Sequence, residues 1–179
     1  MIPPSMPFRF LTVIAAMLGP CAAQGGDEIV RNWFKDPYFQ VRSAIARCAV
    51  PLGPFATEEQ MLKETHYRSE RGTRCWLEKK CTKPSSYLYD ADIATAVRSR
   101  FDASRGLRDA SLWVTVQRRF VWIEGCVRSG RDEREIEELL RDVPDMDRLI
   151  VFVSHVPAAA PPYRTLVAGQ RREERSDTR

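Results

Sequence analysis

The chain has 179 residues, a length that suits one domain or one small domain with extensions. Hydrophobic residues make up 44 % and charged residues 29 %, which excludes a fibre, a wholly disordered chain and a multi-span membrane protein. The 28 Lys and Arg exceed the 24 Asp and Glu by only four, and this small excess does not indicate nucleic-acid binding.

The first 23 residues predict a secretory signal peptide. Arg9 is the only charged residue before Asp27, and residues 10–18 form an almost wholly apolar run. This run is too short to span a bilayer, and the small residues that follow Gly19-Pro20 suit cleavage. We therefore expect residues 1–23 to be removed and the rest of the chain to lie in an oxidising compartment.

Two alternatives for this leader stay open. One is a buried N-terminal helix. The other is a lipoprotein acylated at Cys21, although Pro20 stands where a lipobox has a small residue. No later segment is long and apolar enough to predict a transmembrane span.

Four cysteines follow the leader: Cys48, Cys75, Cys81 and Cys126. In an exported chain they predict up to two disulfides, with three possible connectivities. Cys75 and Cys81 enclose a short loop and are expected to pair locally, which leaves Cys48 for Cys126. The other connectivities stay open.

Two other uses of these thiols are disfavoured by the sequence. A zinc site would place His66 near Cys75 and Cys81, but five residues separate these cysteines and paired zinc ligands prefer two to four. A Cys/His nucleophile needs a reduced thiol beside a base, and no local pattern marks one.

Residues 24–87 are predicted to be an irregular, partly helical extension. Proline and glycine predict a loop at residues 51–54. A capping box at Thr57-Glu58-Glu59-Gln60 predicts a helix over 58–69. A second short helix is predicted over 41–48.

Residues 88–156 carry the strongest regular patterns. Asp90, as N-cap, and apolar residues at helical spacing predict a helix over 91–103. Two runs rich in β-branched and aromatic residues, 112–116 and 120–127, predict a β-hairpin.

A second helix is predicted over 132–142, where the glutamates indicate a solvated face rather than a metal site. Pro144 ends this helix, and residues 149–153 predict a last strand. The polar, charged segment 157–179 is predicted to be disordered.

The order α-β-β-α-β predicts an α+β fold with two layers. We expect a three-stranded sheet with both helices on one face, the first strand in the centre and antiparallel to its neighbours, and a right-handed crossover to the last strand. The extension at 24–87 is expected to pack on this sheet.

Residues 88–156 resemble the BON domain of bacterial exported proteins. The resemblance is carried by a helix opened by an aspartate, a hairpin of alternating aliphatics, and a proline turn into the last strand. The matching positions are Asp90, Ile93, Val97, Leu112, Val114, Val116, Val121, Ile123, Gly125, Val127, Val143, Pro144, Leu149, Val151 and Val153. Two positions depart from the pattern, because Arg118-Arg119 replaces Asp-Gly in the hairpin and Asp145 replaces the glycine after the proline.

Strand alternation leaves an apolar second face on the sheet. Its residues are Trp113, Thr115, Phe120, Trp122, Cys126, Ile150 and Phe152. Such a face requires an explanation. We expect residues 24–87 to cover it, held by a Cys48–Cys126 disulfide. The alternatives are a partner-binding or lipid-facing surface, and a stacking platform for single-stranded RNA, which an exported location argues against.

The resemblance implies a non-catalytic module of the cell envelope, located in the periplasm, that binds phospholipid or an envelope protein and supports envelope integrity. It implies no cofactor, no metal, no nucleic acid and no catalytic residue. The candidate membrane-contact residues are Arg68, Arg71, Arg74, Trp76, Lys79, Lys80 and Lys83. The same cluster is also compatible with a solvated, disulfide-closed loop.

Two further hypotheses stay open. The α-β-β-α-β order is similar to that of ring-building domains, so an assembly component of a secretion-type envelope complex is the alternative function. A redox enzyme using Cys75 and Cys81 is disfavoured, because their spacing is not Cys-x-x-Cys.

Overall fold

The computed structural model describes residues 28–155 and 160–173. The predicted signal peptide and Cys21 lie outside the described residues, as do 156–159 and 174–179. Among the helices that are described, none has the length and apolar character needed to cross a membrane.

The structure contains six strands, four α-helices and one 3-10 turn within the described residues. In chain order they are β1 (Glu28–Arg31), β2 (Tyr38–Ser43), α1 (Glu58–Glu70), α2 (Thr73–Leu77), a 3-10 turn (Ser86–Tyr89), α3 (Asp90–Ala103), β3 (Ser111–Gln117), β4 (Phe120–Val127), α4 (Gly130–Leu140), β5 (Arg148–His155) and β6 (Gln170–Glu173). The predicted hairpin, the last strand and three of the predicted helices are confirmed.

The main sheet has four strands in the order β2-β3-β4-β5. Strand β3 is antiparallel to β2 and to β4, whereas β4 is parallel to β5. The prediction of a three-stranded sheet with its first strand in the centre is therefore wrong. The helical connection through α4 returns the chain to the edge of β4, where a crossover gives a parallel neighbour. The other edge of β3 is taken by β2.

Strand β2 replaces the short helix that was predicted over 41–48. Phe39 and Val41 pack against the main core, and Phe39 pairs with Val114 of β3. Arg42 donates hydrogen bonds to the carbonyl oxygens of Phe101 and Ser104, at the C-terminal end of α3. The free edge of β3 offers this segment a ladder of hydrogen bonds, which overrides its weak local preference for a helix.

The main core lies between the sheet and the two helices α3 and α4, as predicted. Fully buried side chains from the helices are Ile93, Val97, Phe101, Ile136 and Leu140, and those from the hairpin are Leu112, Val114, Val116, Val121 and Ile123. The two-layer α+β arrangement of this part of the chain is confirmed.

The predicted disorder of 157–179 is corrected for residues 160–173. Strand β6 pairs in parallel with β1, and Glu173 forms an ion pair with Arg31. Tyr163 is buried, and Thr165 bridges to Pro51. The polar composition of this segment does not indicate that it is ordered, because the residues with which it pairs are more than a hundred residues away in the sequence.

Both disulfides form with the predicted connectivity. Cys48 bonds to Cys126 and links the loop after β2 to β4, over a sequence separation of 78. Cys75, inside α2, bonds to Cys81 beyond the end of that helix, over a separation of 6. These four thiols are consumed in the two bonds, so in the oxidised protein they cannot act as zinc ligands or as a thiolate nucleophile.

Asp90 connects α3 to the turn of the hairpin. The helix begins at Asp90 and Tyr89 is its N-cap, so the prediction of Asp90 as N-cap is corrected. The carboxylate of Asp90 instead accepts hydrogen bonds from the backbone N–H groups of Arg118 and Arg119, each at 2.7 Å. Both arginines have positive φ angles, 55° and 70°. Residues other than glycine and asparagine adopt this backbone conformation only at a cost in free energy.

We expect Asp90→Ala to destabilise the protein by about 2–3 kcal/mol, because two turn amides lose a buried, charged acceptor. Urea unfolding of the oxidised protein measures the change. Asp102→Ala is the matched control, since Asp102 lies on the same helix but is exposed, and it is expected to cost less than about 1 kcal/mol. Equal losses in the two variants would contradict this role of Asp90.

We expect removal of the Cys48–Cys126 bond to cost about 4 kcal/mol, and removal of the Cys75–Cys81 bond about 2 kcal/mol. The difference arises because the first bond closes a far longer loop in the unfolded chain. Denaturant unfolding of the two double alanine variants measures both values. A larger loss for the Cys75/Cys81 variant would contradict the expectation.

Candidate functional site

The predicted membrane-contact cluster is divided by the structure, and Arg68 does not belong to it. Arg68 is only 6 % exposed and forms a buried ion pair with Asp36. Its guanidinium also lies 4.4 Å from the ring centre of Phe34. Arg68 therefore docks α1 onto the loop before β2, and the prediction that it contacts a membrane is wrong.

Arg71 and Lys83 are also held by the protein. Arg71 forms an ion pair with Asp147 at 3.3 Å and stacks 4.3 Å from the ring centre of Phe120. Lys83 pairs with Asp92 at 2.5 Å. These contacts join the extension to the sheet and to α3, so both side chains act as supports for the segment between them.

The remaining four residues of the cluster lie on or beside one exposed feature, the disulfide-closed loop of residues 75–81. Trp76 is 45 % exposed, and its neighbour Leu77 is 67 % exposed. Sequence reasoning named Trp76 but missed Leu77. The sequence did contain a feature that marks Leu77, because this residue lies between the two cysteines that close the loop.

The charges around this loop are mainly positive. Glu78 accepts hydrogen bonds from Lys80 and from Arg74, each at 2.8 Å, and these bonds hold the pKa of Glu78 below its ordinary value. Lys79 is exposed and makes no ion pair with any residue of the described ranges. Three cations against one carboxylate therefore surround two exposed apolar side chains.

The second face of the sheet is covered at one end. Trp113 is buried there against Ile45 and the Cys48–Cys126 disulfide. The hydroxyl of Tyr163 lies 3.6 Å from the sulfur of Cys48 and donates a hydrogen bond to a backbone carbonyl at 2.8 Å. The cover at this end therefore comes from residues of the extension and also from the C-terminal segment, which the sequence did not indicate.

The other end of this face is more open. Phe120 is half-buried under Arg71, Trp122 and Ile150 are half-buried, and Phe152 is 43 % exposed. A groove of about 310 Å³ lies here, between the strands, α1 and the C-terminal segment. The residues that matter for its chemistry are Thr115, Trp122, Glu124, Phe152, Tyr163 and Arg164.

Glu124 is the residue of this groove that sequence reasoning missed. Burial raises its pKa to about 7, and the charge of Arg164 acts in the opposite direction. Burial and the nearby charge of Glu124 raise the pKa of Tyr163 to about 12. Alternation along β4 places Glu124 on the same face as Trp122, but the burial that gives Glu124 its chemistry does not follow from the sequence.

We expect Glu124→Gln to stabilise the protein at pH 8 and to leave its stability nearly unchanged at about pH 5. A carboxyl whose folded pKa is raised destabilises the folded state as pH rises from its unfolded value, near 4.5, through about 7. Thermal unfolding of both proteins across this range measures the effect. Parallel pH profiles of the two melting temperatures would contradict it.

One comparison with known proteins finds a match to part of the chain. The family model described as the BON domain matches residues 89–151. No curated protein and no solved structure shows a significant match to the chain. The matched part contains α3, the hairpin, α4 and the first half of β5, in the order α-β-β-α-β. The disulfide-closed loop lies outside it. The part of the chain from the end of the 3-10 turn to the middle of β5 is therefore similar to the BON domain.

Proposed function

We propose that this protein is a non-catalytic module of the cell envelope that binds anionic phospholipid surfaces through its disulfide-closed loop. The observation that carries the proposal is the exposure of Trp76 and Leu77, side by side, in a loop with a positive charge balance. The BON domain family is known for binding phospholipid or membranes, which supports the same class of function.

The chemistry of the loop suits the boundary between water and lipid. Each Lys or Arg near an anionic surface contributes about 1 kcal/mol of attraction, and Arg74, Lys79 and Lys80 are placed for it. Tryptophan prefers the level of the lipid headgroups, where its ring is apolar and its N–H is polar. The Cys75–Cys81 bond holds the loop in one shape and lowers the entropy lost on binding.

The proposed location is the periplasm. Two disulfides suit an oxidising compartment, and BON-domain proteins are often associated with the envelope. Export through residues 1–23, or an anchor at Cys21, remains part of this proposal.

The alternative function, an assembly component of an envelope complex, has one observation in its favour. Strand β5 lies at the edge of the main sheet, and its outer edge pairs with no strand in the parts of the chain that the structure describes. An open edge is a template for pairing with another chain. Sizing the oxidised protein by light scattering separates a stable ring from a monomer.

We expect the chain from residue 24 to co-sediment with anionic vesicles at low salt and to be released at high salt. Replacing Trp76 and Leu77 by alanine is expected to reduce the bound fraction several-fold, and so is replacing Lys79 and Lys80 by glutamine. The first change removes apolar contact and the second removes charge.

The matched control is Leu62→Ala with Lys63→Gln, because these two residues are equally exposed but lie on α1. Binding that is lost in the loop variants and kept in the control supports the proposal. Absence of binding to any vesicle, or equal loss in the control, would overturn it.

A further inference from the structure

The groove on the second face of the sheet holds two polar groups that the protein leaves without a partner. Thr115 is 4 % exposed, and its side-chain oxygen is buried with no hydrogen bond to any described residue. Glu124 has no hydrogen bond and no ion pair within 28–155 and 160–173, although Arg164 acts on it at longer range. An unpartnered buried polar group costs free energy, which a ligand that supplies the missing bond offsets.

Aromatic side chains line the groove together with Glu124. Phe152 pairs with Glu124 across the parallel strands, and Trp122 precedes it on the same face of β4. Tyr163 lines the groove from the C-terminal segment. A carboxylate among aromatic rings is the arrangement that recognises ammonium cations, since the ring faces and the carboxylate attract the same charge.

The charge of Arg164 determines which second group such a ligand must carry. Its positive charge lines the same groove and interacts with Glu124. A simple ammonium ion would be repelled by Arg164, and a simple anion would be repelled by Glu124. A molecule with both charges satisfies both residues. The remaining charged pair at the rim, Arg118 and Glu64, lie 3.9 Å apart and compensate each other.

From this arrangement we propose that the groove binds a small zwitterion, with its ammonium group on Glu124 and Thr115 and its anionic group facing Arg164. The volume of about 310 Å³ accommodates an α-amino acid or the larger ethanolamine phosphate. These two sources share the same chemistry and differ in the distance between their charges. The site is separate from the disulfide-closed loop and does not depend on the proposed membrane contact.

Titration calorimetry of the oxidised full chain tests the proposal with four probes: glycine, O-phosphoethanolamine, ethanolamine and inorganic phosphate. We expect saturable one-to-one binding of at least one zwitterion, and binding of ethanolamine and phosphate weaker by at least about tenfold. Binding of glycine alone identifies the amino-acid source, and binding of O-phosphoethanolamine alone identifies the phosphorylated one.

Glu124→Gln is expected to weaken binding of the zwitterion by at least about tenfold while leaving the protein folded and more stable at neutral pH. Arg164→Gln is expected to weaken binding of the zwitterion but not binding of ethanolamine. A general loss of structure would not produce this difference between the two ligands. Glu138→Gln, an exposed carboxylate on α4, is the matched control and should bind normally.

Three results would overturn the proposal: no binding of either zwitterion at millimolar concentration, undiminished binding by Glu124→Gln, or ethanolamine binding as tightly as the zwitterions. A failure of vesicle binding by the loop would leave this outcome untouched, so the two proposals are tested separately.

Discussion

The covalent bond between Cys48 and Cys126 links the loop after β2 to the second strand of the hairpin. It holds the extension against Trp113 and gives the C-terminal segment a surface on which Tyr163 packs. The loop after β2, the cover of the second sheet face and Tyr163 in the wall of the groove all meet at this link. A two-layer α-β-β-α-β unit by itself would leave that face in water, where an apolar surface of this size is unfavourable.

A second constraint, the carboxylate of Asp90, acts inside the matched BON region. It accepts hydrogen bonds from the two backbone N–H groups of a hairpin turn formed by Arg118 and Arg119, both of which have positive φ. The family pattern has Asp-Gly in this turn. The two arginines at these positions therefore suggested a hairpin of altered shape. The structure shows how the turn keeps its shape: the hydrogen bonds that its two amides donate to Asp90, at the start of α3, offset the conformational cost of the two arginines.

Local patterns predicted the elements whose stability is local. The capping box at Thr57 forms as expected, and the hairpin and both disulfides follow from alternation and from cysteine spacing. Strand β2, strand β6 and the parallel pairing of β5 were missed, because each depends on a partner that is remote in the sequence. For the same reason the buried pairing of Arg68 with Asp36 was hidden among neighbouring cations that are exposed. Glu124 was missed as a site residue because its chemistry arises only where β4, β5 and the C-terminal segment meet.

The pairing of β1 with β6 joins the two ends of the described chain, and this has a consequence for proteolysis. Four residues on each side form the ribbon, so trimming either end unpairs the other. Strand β6 helps to hold residues 160–169 in place, including the tyrosine that shields the Cys48–Cys126 sulfurs. A protease that cuts within β1 would thus open a path for reductants to the Cys48–Cys126 disulfide, although the cut lies far from it in the sequence.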